Sequence, residues 1–490
     1  MTTTSGLGDA RSTDTVRLSE TVGPVIFYRD LAAGRLSAVA VIAVPAPMAA
    51  PRVVADGVVV TPQQLDGAFG VVIWGYPIDL PASGGTYYVH GQAYELAGIS
   101  EGDLRIGYVA CNGVEHGDHD RPLAQRNALW SRLAGDHDSE PFNLLLHGGD
   151  QLYADEMLDT HPALRRWQRG IIDHDVDTDE VVDCLRAFLL ERYLALYSQP
   201  EPAWLMARVP SLCMWDDHDI CDGWGSLTEA QLDSPVGRTV FSVARALYLV
   251  FQCGSAPDQT PPASPDRAGR SLGWHVELPG VSIVAPDLRS ERRPHAVMGE
   301  AGWRAFDEAL AQVRGQHVFV ISSVPALGPR LSWVERLMHV MPGIQKYEDD
   351  LRDQWQSRWH RAEWQRFLSS LASCHEGRAP VTVLSGEIHL ATRGTMRAEP
   401  DVMHQLVASG ISHPAPPRPY AWALGSLARL GESPLPGRGI RLYPVPGHRC
   451  VYATQRNYLV LARRAGRWWA YWQLEHDGPT PELALSADNA

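Results

Sequence analysis

The stretch Val209–Ser226, VPSLCMWDDHDICDGWGS, determines how the rest of the chain is interpreted. Its apolar run, residues 210–215, ends abruptly in the acidic sequence DDHD at 216–219. An apolar run of this length that is bounded by polar residues is typical of a buried strand. Charged residues at its end must be paired or bound to metal if they stay in the core, and α/β sheets bind ligands beyond the carboxyl ends of their strands. The alternative is a solvated acidic turn that caps the next helix.

The same pattern occurs twice more in the chain. Residues 143–155, NLLLHGGDQLYAD, and residues 381–391, VTVLSGEIHLA, each read as a strand that ends in a glycine turn and then in polar side chains. Those side chains are Asp150, Tyr153, Asp155, Glu387 and His389. Carboxylate, phenolate and imidazole groups are ligands for hard and borderline metal ions. Three strands that end in this way predict a site for more than one metal ion.

The composition excludes several classes of function. With 490 residues, 45% of them hydrophobic, the chain can bury a large core and form more than one domain. A net charge of −14 argues against a nucleic-acid or anionic-membrane binder, although metal ions could still bring in an anionic small substrate. Seven cysteines favour reduced thiols over a disulfide framework. No export signal and no apolar run of transmembrane length is visible, so we expect a cytoplasmic protein without a membrane span.

The strand and helix signals divide the chain into three parts. Residues 1–22 are polar and are predicted to be mobile. Residues 23–100 are rich in valine, tyrosine and turn signals, which predicts a β-rich N-terminal domain. From residue 101 to residue 490, strands alternate with helices, which predicts an α/β catalytic domain with a layered sandwich. This domain contains a proline-rich excursion at 414–446 and a C-terminal hairpin at 457–475.

The residue types at these strand ends suggest individual roles. Asp150 follows two glycines, which let backbone and metal approach closely, and suits a carboxylate that bridges two cations. His218, poised by Asp219, is a candidate to protonate a leaving oxygen or to stabilise an oxyanion. Glu387 and His389 alternate along an extended chain and would therefore point to one face.

Two further strand ends leave alternatives open. Cys111 ends the first strand of the α/β part, where it is either a thiolate ligand or a small buried apolar residue. Arg289, in APDLRSERR, suits bidentate phosphate contact, although a structural salt bridge is nearly as good an explanation. The chain has no Walker A motif, no dinucleotide-binding fingerprint and no serine-hydrolase elbow, which weakens kinase, dehydrogenase and serine-hydrolase interpretations.

The set GGDQLYAD, WDDHDICDGWGS, APDLRSERR, DDLRDQW and LSGEIHLA resembles the alkaline phosphatase D (PhoD-like) family, a branch of the calcineurin-like metallophosphoesterases. The resemblance covers residues 104–391 in the right order. It implies a four-layer αββα core that holds iron and calcium ions, with zinc or manganese as the alternative. It also implies activity on phosphomonoesters and often on phosphodiesters.

The resemblance also implies roles for single residues. Cys111, Asp150 and Tyr153 resemble the iron ligands, with Asp150 as the bridge. Asp217 resembles a ligand of the second metal, His218 the acid or oxyanion stabiliser, and His389 the final ligand.

Three departures from the family pattern stand out. Glu387 stands where the family usually has Asp. Asp222, also a candidate metal ligand, stands where Asn is common, which puts the number of calcium ions in question. The absence of the family's usual twin-arginine signal suggests an intracellular role.

The sequence therefore predicts metal-dependent hydrolysis of a small phosphate ester by metal-activated hydroxide. Metal binding lowers the pKa of water from about 15.7 to about 7, which supplies hydroxide at neutral pH. One alternative is a phosphodiesterase that acts on nucleotides or phospholipid headgroups. The other is a non-catalytic metal-binding module on the same fold.

Overall fold

The computed structural model of the chain describes residues 18–113, 121–329, 354–429 and 431–485. The strands of these residues are, in chain order, β1 (Val22–Ala32), β2 (Arg35–Pro45), β3 (Val53–Ala55), β4 (Val58–Val60), β5 (Gln63–Ala68), β6 (Val71–Pro81), β7 (Gly84–Val89), β8 (Gln92–Ala97), β9 (Leu104–Val109), β10 (Leu144–Gly148), β11 (Ser211–Met214), β12 (Trp274–Leu278), β13 (Val281–Ala285), β14 (Val318–Ser322), β15 (Val381–Ser385), β16 (Thr392–Arg397), β17 (Val402–Val407), β18 (Glu432–Leu435), β19 (Arg438–Tyr443), β20 (Asn457–Arg464), β21 (Arg467–Leu474), β22 (Gly478–Pro479) and β23 (Leu483–Ala484).

The helices of the same residues are α1 (Leu123–Arg126), α2 (Ala128–Ser139), α3 (Pro162–Gln168), α4 (Thr178–Tyr197), α5 (Pro200–Met206), α6 (Glu229–Leu232), α7 (Pro235–Phe251), α8 (Glu300–Gln312), α9 (Arg361–Gly377) and α10 (Arg418–Ala428). Short 3₁₀ helices lie at Asp155–Asp159 and Arg358–His360.

Two large sheets form the centre of the fold. The first has eleven strands, in the order β22-β21-β20-β9-β10-β11-β1-β2-β6-β5, with β23 beside β21. The second has eight strands, in the order β12-β13-β14-β15-β17-β16-β19-β18. Strands β9, β10 and β11 are mutually parallel, and so are β13, β14, β15 and β17. A third sheet, β4-β3-β7-β8, belongs to the N-terminal region.

The apolar side chains arrange these sheets and helices in four layers. Phe319 of the second sheet packs edge-on against Trp468 of the first, with ring centroids 4.8 Å apart, and both belong to one buried cluster together with Leu146 of the first sheet, so the two sheets face each other. Leu145, the neighbour of Leu146, belongs to a different cluster that packs the outer face of the first sheet against α2, α4 and α7. Consecutive residues of a strand point to opposite faces, which accounts for this division. Helices α8 and α9 cover the outer face of the second sheet, which confirms the αββα sandwich.

The N-terminal region is β-rich, as predicted. Only some of its strands form a separate sheet, and the others belong to the first large sheet. Strand β1 pairs in parallel with β11, with Phe27 opposite Ser211, and β2, β6 and β5 extend the same sheet further. The first sheet therefore crosses the predicted boundary near residue 100, and the division into domains there stays a prediction.

Most long elements match their predicted positions. The sequence pattern predicts helices at about residues 178–197 and 349–373. Helix α4 has the first of these limits, whereas helix α9 begins at Arg361, and residues 349–353 of the second prediction lie outside the described residues. The predicted mobile N-terminus lies outside them up to residue 17. Among the described residues, no helix combines the length and the apolar character that a membrane-spanning helix needs.

Candidate metal and catalytic site

The site lies where the carboxyl ends of the parallel strands of both sheets meet. Cys111, Asp150 and residues 216–219 follow β9, β10 and β11 of the first sheet. Contacts join these strand ends to the second sheet: the Ser323 hydroxyl, after β14, donates to Asp216 Oδ1 at 2.8 Å. The Cys111 Sγ lies 3.1 Å from the Ser409 hydroxyl, after β17. The three strand ends identified in the sequence are thus brought into one place.

The backbone at four of these positions adopts an uncommon conformation. Cys111, Asp150, Glu387 and His389 have φ values of 55°, 55°, 62° and 52°. The other described non-glycine residues with positive φ each precede a glycine in a tight turn, namely Ala33, Asp56, Phe69, His90 and Ala465. A left-handed conformation costs energy in residues other than glycine and is concentrated at functional sites. The backbone at the four strand ends is therefore held in place to aim these side chains.

Three carboxylates converge in the buried centre of the site. Asp150, Asp216 and Asp217 each offer an oxygen, and the three atoms lie within 4.8 Å of one another. Burial, and then the neighbouring Asp216, raise the pKa of Asp150 well above its ordinary value. The Cys111 thiol donates to Asp150 Oδ2 at 3.4 Å, and burial and then Asp150 raise the pKa of that thiol as well. Ionised together, these groups need a compensating cation.

A second group of ligand atoms adjoins the first through Asp217. It consists of Asp217, His218 and Asp222, again within 4.8 Å. The His218 Nδ1 lies 2.8 Å from Asp155 Oδ2, and Asp155 Oδ1 accepts the backbone N–H of Asp222 at 2.6 Å. Burial would lower the pKa of His218, but Asp155 and Asp217 outweigh it and raise that pKa well above its ordinary value. The two carboxylates thus favour the protonated form of the His218 imidazole, and Asp155 orients the ring.

This geometry corrects the partner expected for His218. The Asp219 carboxylate accepts the backbone N–H groups of Asp150, Leu152 and Asp216 at 2.9–3.0 Å and the Gln252 amide at 2.8 Å. Asp219 therefore ties the loop after β10 to the loop after β11. Because its two oxygens accept four hydrogen bonds, Asp219 has a structural role. Asp155, not Asp219, lies beside the His218 imidazole.

Four aromatic rings form a continuous stack at the edge of the site. Tyr153 lies between His218, with ring centroids 4.1 Å apart, and His413, with centroids 5.3 Å apart. His413 in turn stacks on His389, with centroids 3.7 Å apart. Burial, and then His413, lower the pKa of His389 well below its ordinary value, which keeps this imidazole neutral, as a metal ligand must be.

Gly113 makes room for this stack. A Cβ atom at that position would lie 1.4 Å from Tyr153 Cδ2. The Tyr153 ring therefore rests directly on the backbone next to Cys111 and Asn112, and only glycine leaves the space.

Arg289 makes the contacts of a structural salt bridge. Its guanidinium is fully buried and pairs with Asp216, while Nη2 donates to Asp217 Oδ1 at 3.3 Å and Nη1 donates to the Trp224 carbonyl at 3.1 Å. A buried arginine beside three carboxylates offsets part of their repulsion. Phosphate binding by Arg289 stays a prediction.

Glu387 stands apart from the two carboxylate groups. Both of its carboxylate oxygens accept hydrogen bonds from the Gln354 amide at 2.8 Å. Among the described residues, Glu387 does not share in either group of converging ligand atoms. Its role as a metal ligand stays a prediction, while Asp217 and Asp222 lie together as expected.

Sequence reasoning missed three participants. Asp155 was counted among the polar strand-end residues but not as the partner of His218, because Asp219 lies nearer to His218 in the sequence. His413 follows β17 directly before the proline-rich excursion, where no motif marks it. Gln354 lies in DDLRDQW, which carries the family resemblance but suggested no role for this residue. Only the fold brings these residues to the site.

The residues present fit a metal centre. Asp150 Oδ1 and His389 Nδ1 are buried and have no hydrogen-bond partner among the described residues. A buried acceptor of this kind costs about 1–3 kcal/mol unless something binds it. Carboxylate, thiolate, phenolate and imidazole donors together suit a metal ion, which accounts for both atoms.

The fold is similar to those of two phosphatases of known structure. The chain is similar to the solved structure of PhoD, with a TM-score of 0.60 and 12% identity over 96% of this chain and 90% of that one. It is also similar to purple acid phosphatase PPD1 from yellow lupin (Lupinus luteus) seeds, with a TM-score of 0.54 and 10% identity over 96% of this chain and 75% of that one. At these identities the likeness establishes the fold.

The sequence comparisons give one family match and one distant relative. Residues 112–348 match the family described as PhoD related phosphatase, which confirms the resemblance found in the sequence. A Saccharomyces cerevisiae relative, Uncharacterized protein YGR266W, is 25% identical over 337 residues, which is 56% of this chain. The match spans about half of the yeast protein, 48% of its length.

Proposed function

We propose that this protein is a metal-dependent phosphatase that hydrolyses small phosphate esters. The observation that carries the proposal is the convergence of Asp150, Asp216 and Asp217 beside the Asp155–His218 pair, at the point where the strand ends of both sheets meet. The three carboxylates suit the binding of cations, and the Asp155–His218 pair suits proton donation. Phosphoester hydrolysis needs both.

The metal-holding residues are those that the family resemblance and the converging ligand atoms indicate together. Asp150, Cys111 and Tyr153 would hold one ion, while Asp217 with Asp222 or His389 would hold the other. Thiolate and phenolate donors favour iron at the first position, and carboxylate oxygens favour calcium at the second; zinc or manganese pairs are the alternative. When bound, such ions activate water and neutralise the phosphoryl oxygens.

The remaining steps belong to the protein's own side chains. The carboxylates beside His218 favour its protonated form, and because Nδ1 is engaged by Asp155, Nε2 is left to donate a proton to the departing oxygen. Asp219 keeps the loops of Asp150 and His218 at a fixed separation through its four hydrogen bonds. The strained backbone at Asp150 and His389 fixes the direction of both side chains before substrate arrives.

The substitution Asp150→Asn tests this proposal. We expect kcat/KM for a phosphomonoester to fall about 1000-fold, because several kcal/mol of transition-state stabilisation depend on the ions that Asp150 would hold. For the metal-free proteins the melting temperature should stay the same or rise, since one of three repelling carboxylates is removed. Asp138→Asn, at an exposed position of α2, is the control and should leave both quantities unchanged.

Metal analysis and a substrate panel complete the test. Iron and calcium in the purified protein, with a tyrosinate charge-transfer band, would support the proposed ions. Parallel assays on a monoester and a diester would decide which class is preferred. Near-normal turnover by the Asp150→Asn protein would falsify the site, and a wild-type protein that binds metal without hydrolysing any ester would indicate a binding module. A cytoplasmic location remains part of the proposal and is tested by cell fractionation.

A further inference from the structure

His413 links parts of the site that belong to different sheets. Its backbone N–H donates to the Cys111 carbonyl at 3.2 Å, at the end of β9. Its ring stacks on Tyr153, from the loop after β10, and on His389, from the loop after β15. One residue thus contacts three candidate metal ligands from three strand ends.

The ring orientation of His413 is itself fixed. Its Nδ1 lies 2.9 Å from the Pro414 carbonyl, and because a carbonyl only accepts, Nδ1 carries the proton in this contact. The interplanar angles, 16° with Tyr153 and 20° with His389, show three nearly parallel rings. Each such contact contributes roughly 0.5–1.5 kcal/mol beyond simple burial.

The stacking also determines what His413 does not do. The lone pair of an imidazole nitrogen lies in the ring plane, and a metal–nitrogen bond is about 2 Å long. Two nearly parallel rings with centroids 3.7 Å apart direct their lone pairs side by side and not toward one common ion. His413 and His389 are therefore poorly arranged to bind the same ion together.

We propose that His413 is a positioning residue, a spacer that sets the separation and the orientation of Tyr153 and His389. This inference rests on the proposed function, because it concerns ligands of the proposed ions. The aromatic face of His413 makes the contacts with both rings, and its Nδ1 holds the ring against the Pro414 carbonyl. Residues that orient metal ligands typically change metal affinity 10- to 100-fold when they are replaced.

The experiment compares His413→Phe with His413→Ala, and uses His174→Ala, at an exposed position, as the control. We expect His413→Ala to weaken iron binding about 10- to 100-fold and to shift the tyrosinate charge-transfer band. The His413→Phe protein keeps the stacked ring, so its affinity should stay within about threefold of wild type. Equal loss in both variants would mean that a ring nitrogen is required and would overturn the spacer role. Wild-type affinity and spectrum in His413→Ala would overturn it as well.

A second measurement separates failure of this inference from failure of the proposed function. Crystal structures of the metal-free wild-type and His413→Ala proteins show the ring positions directly. Displaced rings of Tyr153 and His389 in the variant support the inference, whether or not metal binds, and unmoved rings overturn it. A wild-type protein that takes up no metal counts against the proposed function alone.

Discussion

Replacement of Gly113 by alanine should disable the site through a single added methyl group. The new Cβ would lie 1.4 Å from Tyr153 Cδ2, whereas ordinary contact between carbon atoms begins at 3.4 Å, so the ring must move by about 2 Å. A metal–ligand distance tolerates a change of only about 0.2 Å. The tyrosine therefore cannot stay at its present position, and the stack on His218 and His413 is broken with it.

The expected size of the effect follows from this displacement. A misplacement of about 1 Å can reduce a rate 100-fold, so we expect kcat/KM to fall by at least about 100-fold. The overpacked side chain should lower the free energy of unfolding by about 1–3 kcal/mol. The measurements are steady-state kinetics on a phosphomonoester, the tyrosinate band of the iron-loaded protein, and urea unfolding.

The control for this variant is Gly135→Ala. Gly135 lies in α2, and an added Cβ there meets no atom within 4 Å. The Gly135→Ala substitution should leave kcat/KM unchanged and should stabilise helix α2 by up to about 1 kcal/mol. If the Gly113→Ala protein retained wild-type kcat/KM together with its charge-transfer band, the assignment of Tyr153 to the site would be wrong.

Three further predictions concern the neighbouring side chains. Asp155→Asn removes the negative partner of His218 and should slow the hydrolysis of alkyl esters about 100- to 10,000-fold. The loss should be far smaller for p-nitrophenyl esters, because their leaving group needs no proton. Equal losses of rate on both kinds of ester would contradict the proton-donor role of His218. Asp219→Asn leaves at least one buried N–H donor unpaired and should lower the free energy of unfolding by about 1–3 kcal/mol in urea titrations, and an unchanged midpoint would refute its scaffold role. Burial lowers the pKa of His147 to about 4, so as the pH falls the unfolded chain takes up a proton on this residue before the folded chain does. The free energy of unfolding should therefore fall by up to roughly 3 kcal/mol between about pH 6.5 and pH 4. A His147→Gln protein should lose less stability over that range, and an equally steep loss would contradict the lowered pKa of His147.

The sequence predicted those parts of the structure that depend on local patterns. Helix α4 was predicted with its observed limits, because Asp177 caps its first turn and its apolar residues recur at helical spacing. The strand ends that carry Asp150, Asp217 and His389 were predicted from short apolar runs that stop at glycine or charge. Such features need only neighbours along the chain.

The parts that were missed depend on pairing between distant residues. The parallel pairing of β1 with β11 leaves no mark in either strand, since both are simply apolar. Sequence proximity favoured Asp219 as the partner of His218, whereas the loop after β10 brings Asp155 there instead. His413 lies among prolines, and only the path of the chain after β17 places it between Tyr153 and His389.

The strand order of the first sheet affects how the chain folds during its synthesis. Its central strands come from three distant parts of the chain, because β1 borders β11 and the hairpin β20–β21 borders β9. During synthesis, β1 and β2 leave the ribosome long before β11 exists, and β9 waits for β20 until nearly the whole chain has been translated. Closing such long loops makes folding slow and leaves strand edges exposed meanwhile. The strand edges at β9 and β11 therefore stay open to pairing with other chains until their distant partners have been added.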